Sequence, residues 1–195
     1  MSDNRKIGLF FGSFNPVHTG HLVIAQSMAE NAGLHKVWFV VSPLNPFKSS
    51  KSLLHEFDRY DMVRAAIDDN NRLAVTDVEF HLPRPSYTID TLDHLTGKHP
   101  DHEFSIIIGE DNLQDFMRWK QPERILERHR LLVYPRPGTP RTPLHDHPSV
   151  TLVEAPLMDI SATYIRTCIR AGKSVRYLVP DAVMAIIDRK GFYQS

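Results

Sequence analysis

The sequence has 195 residues, with 23 Lys+Arg against 23 Asp+Glu, 42% hydrophobic residues, 11 His and one Cys. That length predicts one domain spanning residues 1–195, with closing helices from about residue 161, and roughly 70% of the surface of such a chain is buried on folding. Balanced charge supplies no broad field for nucleic acid or an anionic membrane, Cys168 has no internal disulfide partner, and no apolar run approaches the ~20 residues of a membrane helix, so a reducing, cytoplasmic setting is expected, with neither nucleic acid nor membrane as partner.

In chain order, residues 1–6 are polar and the apolar run after them stops at Gly12, too short for the core of a secretory leader. That run, 6–11, and a second at 37–41 closed by Ser42-Pro43 predict buried strands. Between them Leu22, Ala25, Met28 and Ala29 recur at helical spacing, with Gly33 as a stop. The alternation continues with a helix at about 56–67, a strand near 73–77, a helix at about 89–95, and strands at 104–108 and 131–134. Five prolines, Pro135, Pro137, Pro140, Pro143 and Pro148, then exclude helix and central strand and predict a surface loop. A strand at 150–153 and helices at 162–171 and 180–189 close the chain. Strands separated by helices predict an α/β fold with a doubly wound, mainly parallel sheet and a small C-terminal helical part. Ligands of such sheets bind beyond the carboxyl ends of the strands, where strand order reverses, so chemistry is expected in the loops that follow strands.

The first such loop, Gly12-Ser13-Phe14-Asn15-Pro16-Val17-His18-Thr19-Gly20-His21, has the residue types of a phosphate site. Gly12 and Gly20 permit close backbone approach, Pro16 stiffens the turn, and Thr19 is a candidate cap for a helix whose free N–H groups and positive end favour an anion. His18 and His21 lie three apart across the helix start, where both imidazoles could donate to one anion; a lone histidine there would more often satisfy a buried backbone group. No Gly-x-Gly-x-x-Gly pattern is present. Gly172-Lys173-Ser174 lacks the earlier glycine and preceding strand of a phosphate-binding loop, so Gly172 reads as a helix stop.

In Ile160-Ser161-Ala162-Thr163-Tyr164-Ile165-Arg166, Ser161 is a natural N-cap, and Ile165, Cys168 and Ile169 make an apolar stripe. Thr163, Arg166 and Arg170 fall on another face, a second place for an anion, where an arginine fork can hold two phosphate oxygens. Gly109-Glu110-Asp111 directly follows a predicted strand, and Trp119 comes eight residues after Asp111. A carboxylate there suits ribose hydroxyls or Mg²⁺, and an indole suits a flat ring. Thr88, at a predicted helix start, has a hydroxyl and neighbouring N–H groups to offer a carboxylate. His145-Asp146-His147 suggests no third metal ligand.

Residues 12–22 resemble the signature of the HxGH nucleotidyltransferase superfamily, and the chain is similar over nearly its whole length to the bacterial nicotinate-nucleotide adenylyltransferases. The resemblance implies a Rossmann-like nucleotidyltransferase that uses ATP and nicotinate mononucleotide, with Mg²⁺ arriving on the ATP. It implies that His18, His21 and Arg166 act at the reacting phosphates, and that Gly12, Ser13, Phe14, Lys48, Ser161 and Thr163 join them in holding ATP. By the same resemblance Asn15, Tyr87, Thr88, Asp111 and Trp119 hold the acceptor nucleotide; Ser161, Thr163 and Arg166 match the Ile-Ser-x-Thr-x-x-Arg signature, and residues 86–92 match Ser-Tyr-Thr-x-x-Thr-Leu. Asn45-Pro46-Phe47-Lys48 departs from it, since many relatives carry His where Phe47 stands. Residue types alone leave open nicotinamide mononucleotide or phosphopantetheine as the acceptor, a nucleotide-binding regulator without catalysis, and a homo-oligomer.

Overall fold

The computed structural model describes residues 5–43 and 53–194; the Asn45-Pro46-Phe47-Lys48 segment lies outside the described residues. The elements are β1 (Arg5–Gly12), α1 (Thr19–Asn31), β2 (Lys36–Val41), α2 (Glu56–Ala66), β3 (Leu73–Thr76), α3 (Thr88–Lys98), β4 (His102–Gly109), α4 (Pro122–Arg128), β5 (Arg130–Tyr134), β6 (Val150–Leu152), α5 (Ala162–Arg170) and α6 (Asp181–Lys190). The strands form one sheet in the order β3-β2-β1-β4-β5-β6. Every pairing is parallel, so the expected "mainly parallel" sheet is wholly parallel among the described residues.

Period-two alternation sorts the strand residues onto two faces. Phe10, Phe39, Ile107, Leu132 and Tyr134 turn toward α1, α2, α5 and α6. Ile7, Leu9, Val40, Ile106, Ile108, Leu131 and Val133 turn toward α3 and α4. Burial on both faces explains why β1, β2 and β4 read as continuous apolar runs. Strand order reverses between β1 and β4, which places the loops after Gly12 and Gly109 side by side at one crevice.

Several boundaries move. The helix expected at 89–95 runs Thr88–Lys98, and α4 was not foreseen because its short span carries few apolar residues; it is set by left-handed Gln121 and Pro122 at its first turn. The proline-rich stretch contains a single 3₁₀ turn, Pro143–Asp146. Thr19 does not cap α1. His18 is the cap residue, while the Thr19 hydroxyl donates to the Tyr177 carbonyl at 3.0 Å and the Thr19 N–H to the Leu178 carbonyl at 2.9 Å. Gly172 does stop α5: at φ 67° it donates to the Ile169 carbonyl, and Lys173 donates to that of Cys168.

Candidate active site

The β1 exit is built inward. A Cβ on Gly12 would come within 2.7 Å of the Phe14 ring, and Phe14, with φ 45°, sends that ring into the core. It meets Phe10 and Phe39 there and sits edge-on to His21, with centroids 5.1 Å apart. The Asn15 side chain is 4% exposed, and its Oδ1 accepts from the Tyr193 hydroxyl at 2.8 Å and from the Leu54 N–H at 3.3 Å. Phe14 and Asn15 thus shape the loop with side chains already engaged by protein.

His18 and His21 stack, with centroids 3.6 Å apart and planes at 26°. The His18 N–H donates to His21 Nδ1 at 3.2 Å, and a neutral imidazole that accepts at Nδ1 carries its proton on Nε2. His18 is 5% exposed; burial, reinforced by the positive charge of Arg136, pushes it down to about 4, so its ring is neutral near pH 7. A Cβ on Gly20 would lie 3.1 Å from His18 Nδ1 and 3.7 Å from Ile160 Cβ, so α1 begins against the residue that leads into α5.

That contact brings the two distant motifs together. Ser161 caps α5 as expected, its hydroxyl accepting from the Tyr164 N–H at 3.2 Å. Ile165 and Cys168 are buried, which turns Thr163 and Arg166 to the other face, where Arg166 Nη2 donates to the Thr163 hydroxyl at 3.2 Å. Arg166 Nη1 donates to the Asn15 carbonyl at 2.8 Å, across 151 positions of sequence. The β1 loop and the start of α5 therefore share one rim. Burial lowers the Arg166 pKa, yet a guanidinium keeps its charge at working pH.

At the β4 exit, Asp111 lies in the 3₁₀ turn Glu110–Leu113, and its exposed carboxylate is 3.8 Å from Arg136 Nε. Half-buried Trp119 packs on Phe116 with centroids 5.1 Å apart. Tyr87 precedes α3 and Thr88 opens it; Lys120 sits over the Tyr87 ring at 4.9 Å and bonds Asp90 at 2.8 Å, tying α3 to the Trp119 segment. Lys48 falls outside the described residues.

Sequence reading missed Arg136. It stacks on Tyr134, and its N–H donates to Glu110 Oε2 at 3.1 Å, while Glu110 Oε1 meets His145 Nε2 at 3.0 Å. These two partners hold the Glu110 carboxyl below its usual range. His145, expected on a loop surface, is 9% exposed and committed to Glu110 and Thr142, so the proline-rich stretch is tied down beside the site. Only a charge-bearing loop directly after a core strand could have signalled this. Among the described residues no group of three or more His, Cys, Asp or Glu could hold a metal ion, and no helix is long and apolar enough to cross a membrane.

Residues 9–168 match the model of the cytidylyltransferase-like family. The chain is 55% identical to the probable nicotinate-nucleotide adenylyltransferase of Cytophaga hutchinsonii, over 97% of this chain and 99% of that one. It is 46% identical to the probable nicotinate-nucleotide adenylyltransferase of Flavobacterium johnsoniae, over 97% and 100%. Among solved structures it resembles the Plasmodium falciparum nicotinic acid mononucleotide adenylyltransferase complexed with NaAD, with a TM-score of 0.82 over 97% of this chain and 98% of that one; at 19% identity this is a likeness of fold.

Proposed function

The chain belongs to the cytidylyltransferase-like family, and within it we infer a nicotinate-nucleotide adenylyltransferase of NAD biosynthesis, which joins ATP and nicotinate mononucleotide into nicotinate adenine dinucleotide and pyrophosphate. The observation that carries the residue assignments is the bond from Arg166 to the Asn15 carbonyl, which gives the histidine loop and the α5 motif one rim on which a triphosphate can lie.

In this reaction an ionised phosphate oxygen of the mononucleotide attacks the α-phosphorus of ATP, and the bond to the bridging oxygen breaks, leaving its electron pair on pyrophosphate. No general base is needed to create that nucleophile. The protein's task is to align two anions and to neutralise charge on the bridging and leaving oxygens. The His21 ring, fixed by its Nδ1 contact, donates from Nε2 to the α-phosphate, and neutral His18 orients it from beneath. Gly12, Ser13 and Phe14 contribute backbone to the phosphate cradle. Ser161 and Thr163, at the open end of α5, and Arg166 receive the departing pyrophosphate, with Lys48 as a further cation.

On the acceptor side, Trp119 offers its indole to the pyridine ring, Tyr87 and Thr88 present the first N–H groups of α3 to the nicotinate carboxylate, and Asp111 takes ribose hydroxyls. Asn15 shapes the floor between the two ligands. Mg²⁺ would be carried in on ATP, held by phosphate oxygens and water rather than by a cage of side chains, which fits the described donor set. When bound it supplies positive charge to the leaving group.

The test is a side-by-side rate comparison with ATP and each of nicotinate mononucleotide, nicotinamide mononucleotide and phosphopantetheine, following pyrophosphate release. Preference for the nicotinate form is expected. A faster rate with either other acceptor refutes the substrate assignment, and ATP binding without pyrophosphate release from any of them refutes catalysis.

A further inference from the structure

Arg59, in α2, is fully buried, and no step of the reaction above uses it. Its Nε donates to the Leu54 carbonyl at 2.9 Å, Nη1 to the carbonyls of Ser13 at 2.5 Å and Ser42 at 2.9 Å, and Nη2 to that of Pro43 at 3.2 Å. All four acceptors are main-chain oxygens. Among the described residues, no carboxylate forms an ion pair with this guanidinium. Burial pushes its pKa below the usual value, yet a guanidinium stays charged.

A cation buried against carbonyl dipoles, with the Glu56 carboxylate acting on it only from beyond ion-pair distance, is expensive compared with an apolar side chain of similar size. Its placement accounts for what that cost achieves. Ser13 directly follows β1 and Ser42 directly follows β2, and these strands are neighbours whose register runs to Gly12 and Val41. One planar fork thus fixes the exits of two adjacent strands against each other and against the chain that enters α2. Arg166 takes the carbonyl of Asn15, so two guanidiniums fix the oxygens of the Ser13–Asn15 segment. A cation bonded to the Ser13 carbonyl also polarises the Ser13–Phe14 peptide and makes the Phe14 N–H a stronger donor.

We propose that Arg59 is a positioning residue for adenylyl transfer: its buried guanidinium holds the Ser13 and Ser42 carbonyls inward, so that the loop after β1 presents N–H groups rather than carbonyl oxygens to the phosphates of ATP. The proposal rests on the adenylyl-transfer reading above. Arg59 touches no substrate and acts through the loop. A lysine is a poor replacement, because one ammonium cannot span four carbonyls arranged around a planar fork.

The experiment compares wild type, Arg59→Ala and Arg59→Lys in kcat and KM for ATP, with circular dichroism and thermal melting to count folded molecules. Arg59→Ala is expected to lose roughly 100-fold in kcat, the scale of a small misplacement of reacting groups. Millimolar guanidinium ion should restore much of it, and methylammonium should not. A kcat per folded molecule close to wild type, or no recovery with guanidinium, overturns the proposal. If Arg59→Ala does not fold, Arg59→Lys decides: a stable variant with wild-type kcat refutes positioning and a stable, slow one supports it, while failure of both to fold makes Arg59 a scaffold residue and also ends the proposal. If wild type transfers no adenylyl group to nicotinate mononucleotide, the functional reading has failed. Calorimetric affinity for α,β-methylene-ATP then tests Arg59 alone, with weaker binding expected for Arg59→Ala and equal binding refuting it.

Discussion

Around the β1 exit the polar side chains of Asn15, His18 and Arg59 are buried, whereas around the β4 exit Asp111 and Arg136 stand in solvent. Asn15, His18 and Arg59 are each at most 5% exposed. The Asp111 side chain is 60% exposed, and Arg136 beside it 42%. The end proposed for ATP is therefore built from packed side chains, and the end proposed for the acceptor from side chains that would exchange water contacts for ligand contacts.

Substitutions at the two ends should differ in kind as well as size. The largest effect is expected at the packed end. His21→Ala removes a donor held in place by the His18 N–H and should lower kcat roughly 100- to 1000-fold, the scale for losing one preorganised donor, with KM for either substrate little changed. Initial rates on protein with an unaltered melting curve check this. Near-normal turnover would show that the packed geometry does not serve the reaction.

His18 makes the same end pH-dependent in stability. Its folded pKa of about 4 lies below the ordinary 6.5, so the folded protein binds fewer protons across that window. Stability therefore rises with pH between about 4 and 6.5 and is lost as pH falls, by about 3 kcal/mol over the full span. Denaturant titrations of wild type and His18→Gln at pH 4, 5, 6 and 7 isolate the contribution as a difference in slope. Parallel curves would mean that His18 titrates normally.

At the solvated end effects should be smaller and appear in KM. Trp119→Ala removes a stacking face worth about 0.5–1.5 kcal/mol and should raise KM for nicotinate mononucleotide several-fold, leaving KM for ATP unchanged. Equal changes in both constants, or none, would remove the indole from the acceptor pocket.

What the sequence made legible follows the same division. Strand faces, the Gly172 stop and the Ser161 cap were readable because each is decided within a few residues by periodicity or local bonding. The histidine pair and the α5 motif were found, and the resemblance implied that they meet at the phosphates, but the Arg166–Asn15 bond through which they meet joins positions 151 apart, a distance at which no local pattern operates. Arg59 and His145 were missed for one reason. A charged or polar residue within a polar stretch looks solvated unless its burial is known, and burial here is created by loops that return from other strands.

The open end nevertheless contains buried ties, Glu110 with His145 and Glu79 with Thr91, and the second supplies the smallest expected effect. Glu79 is 3% exposed and accepts from the Thr91 hydroxyl at 2.9 Å, linking the turn after β3 to α3, which carries Tyr87 and Thr88 at its start. Burial raises its pKa above the usual 4.5, the bond from Thr91 acting against this. A carboxyl whose folded pKa is raised binds more protons folded than unfolded. Its neutral form favours folding below 4.5, and that advantage fades as pH climbs toward the raised value. Glu79→Gln keeps an oxygen for Thr91 and never ionises. The variant should therefore melt close to wild type near pH 4 and gain on it as pH rises, while KM for the acceptor stays unchanged because α3 is still held. Melting curves at pH 4, 6 and 8 read this directly. A gap that does not widen with pH would mean that Glu79 is ionised in its buried seat, and the acceptor end would then contain a fixed negative charge beside the pocket proposed for a nicotinate carboxylate.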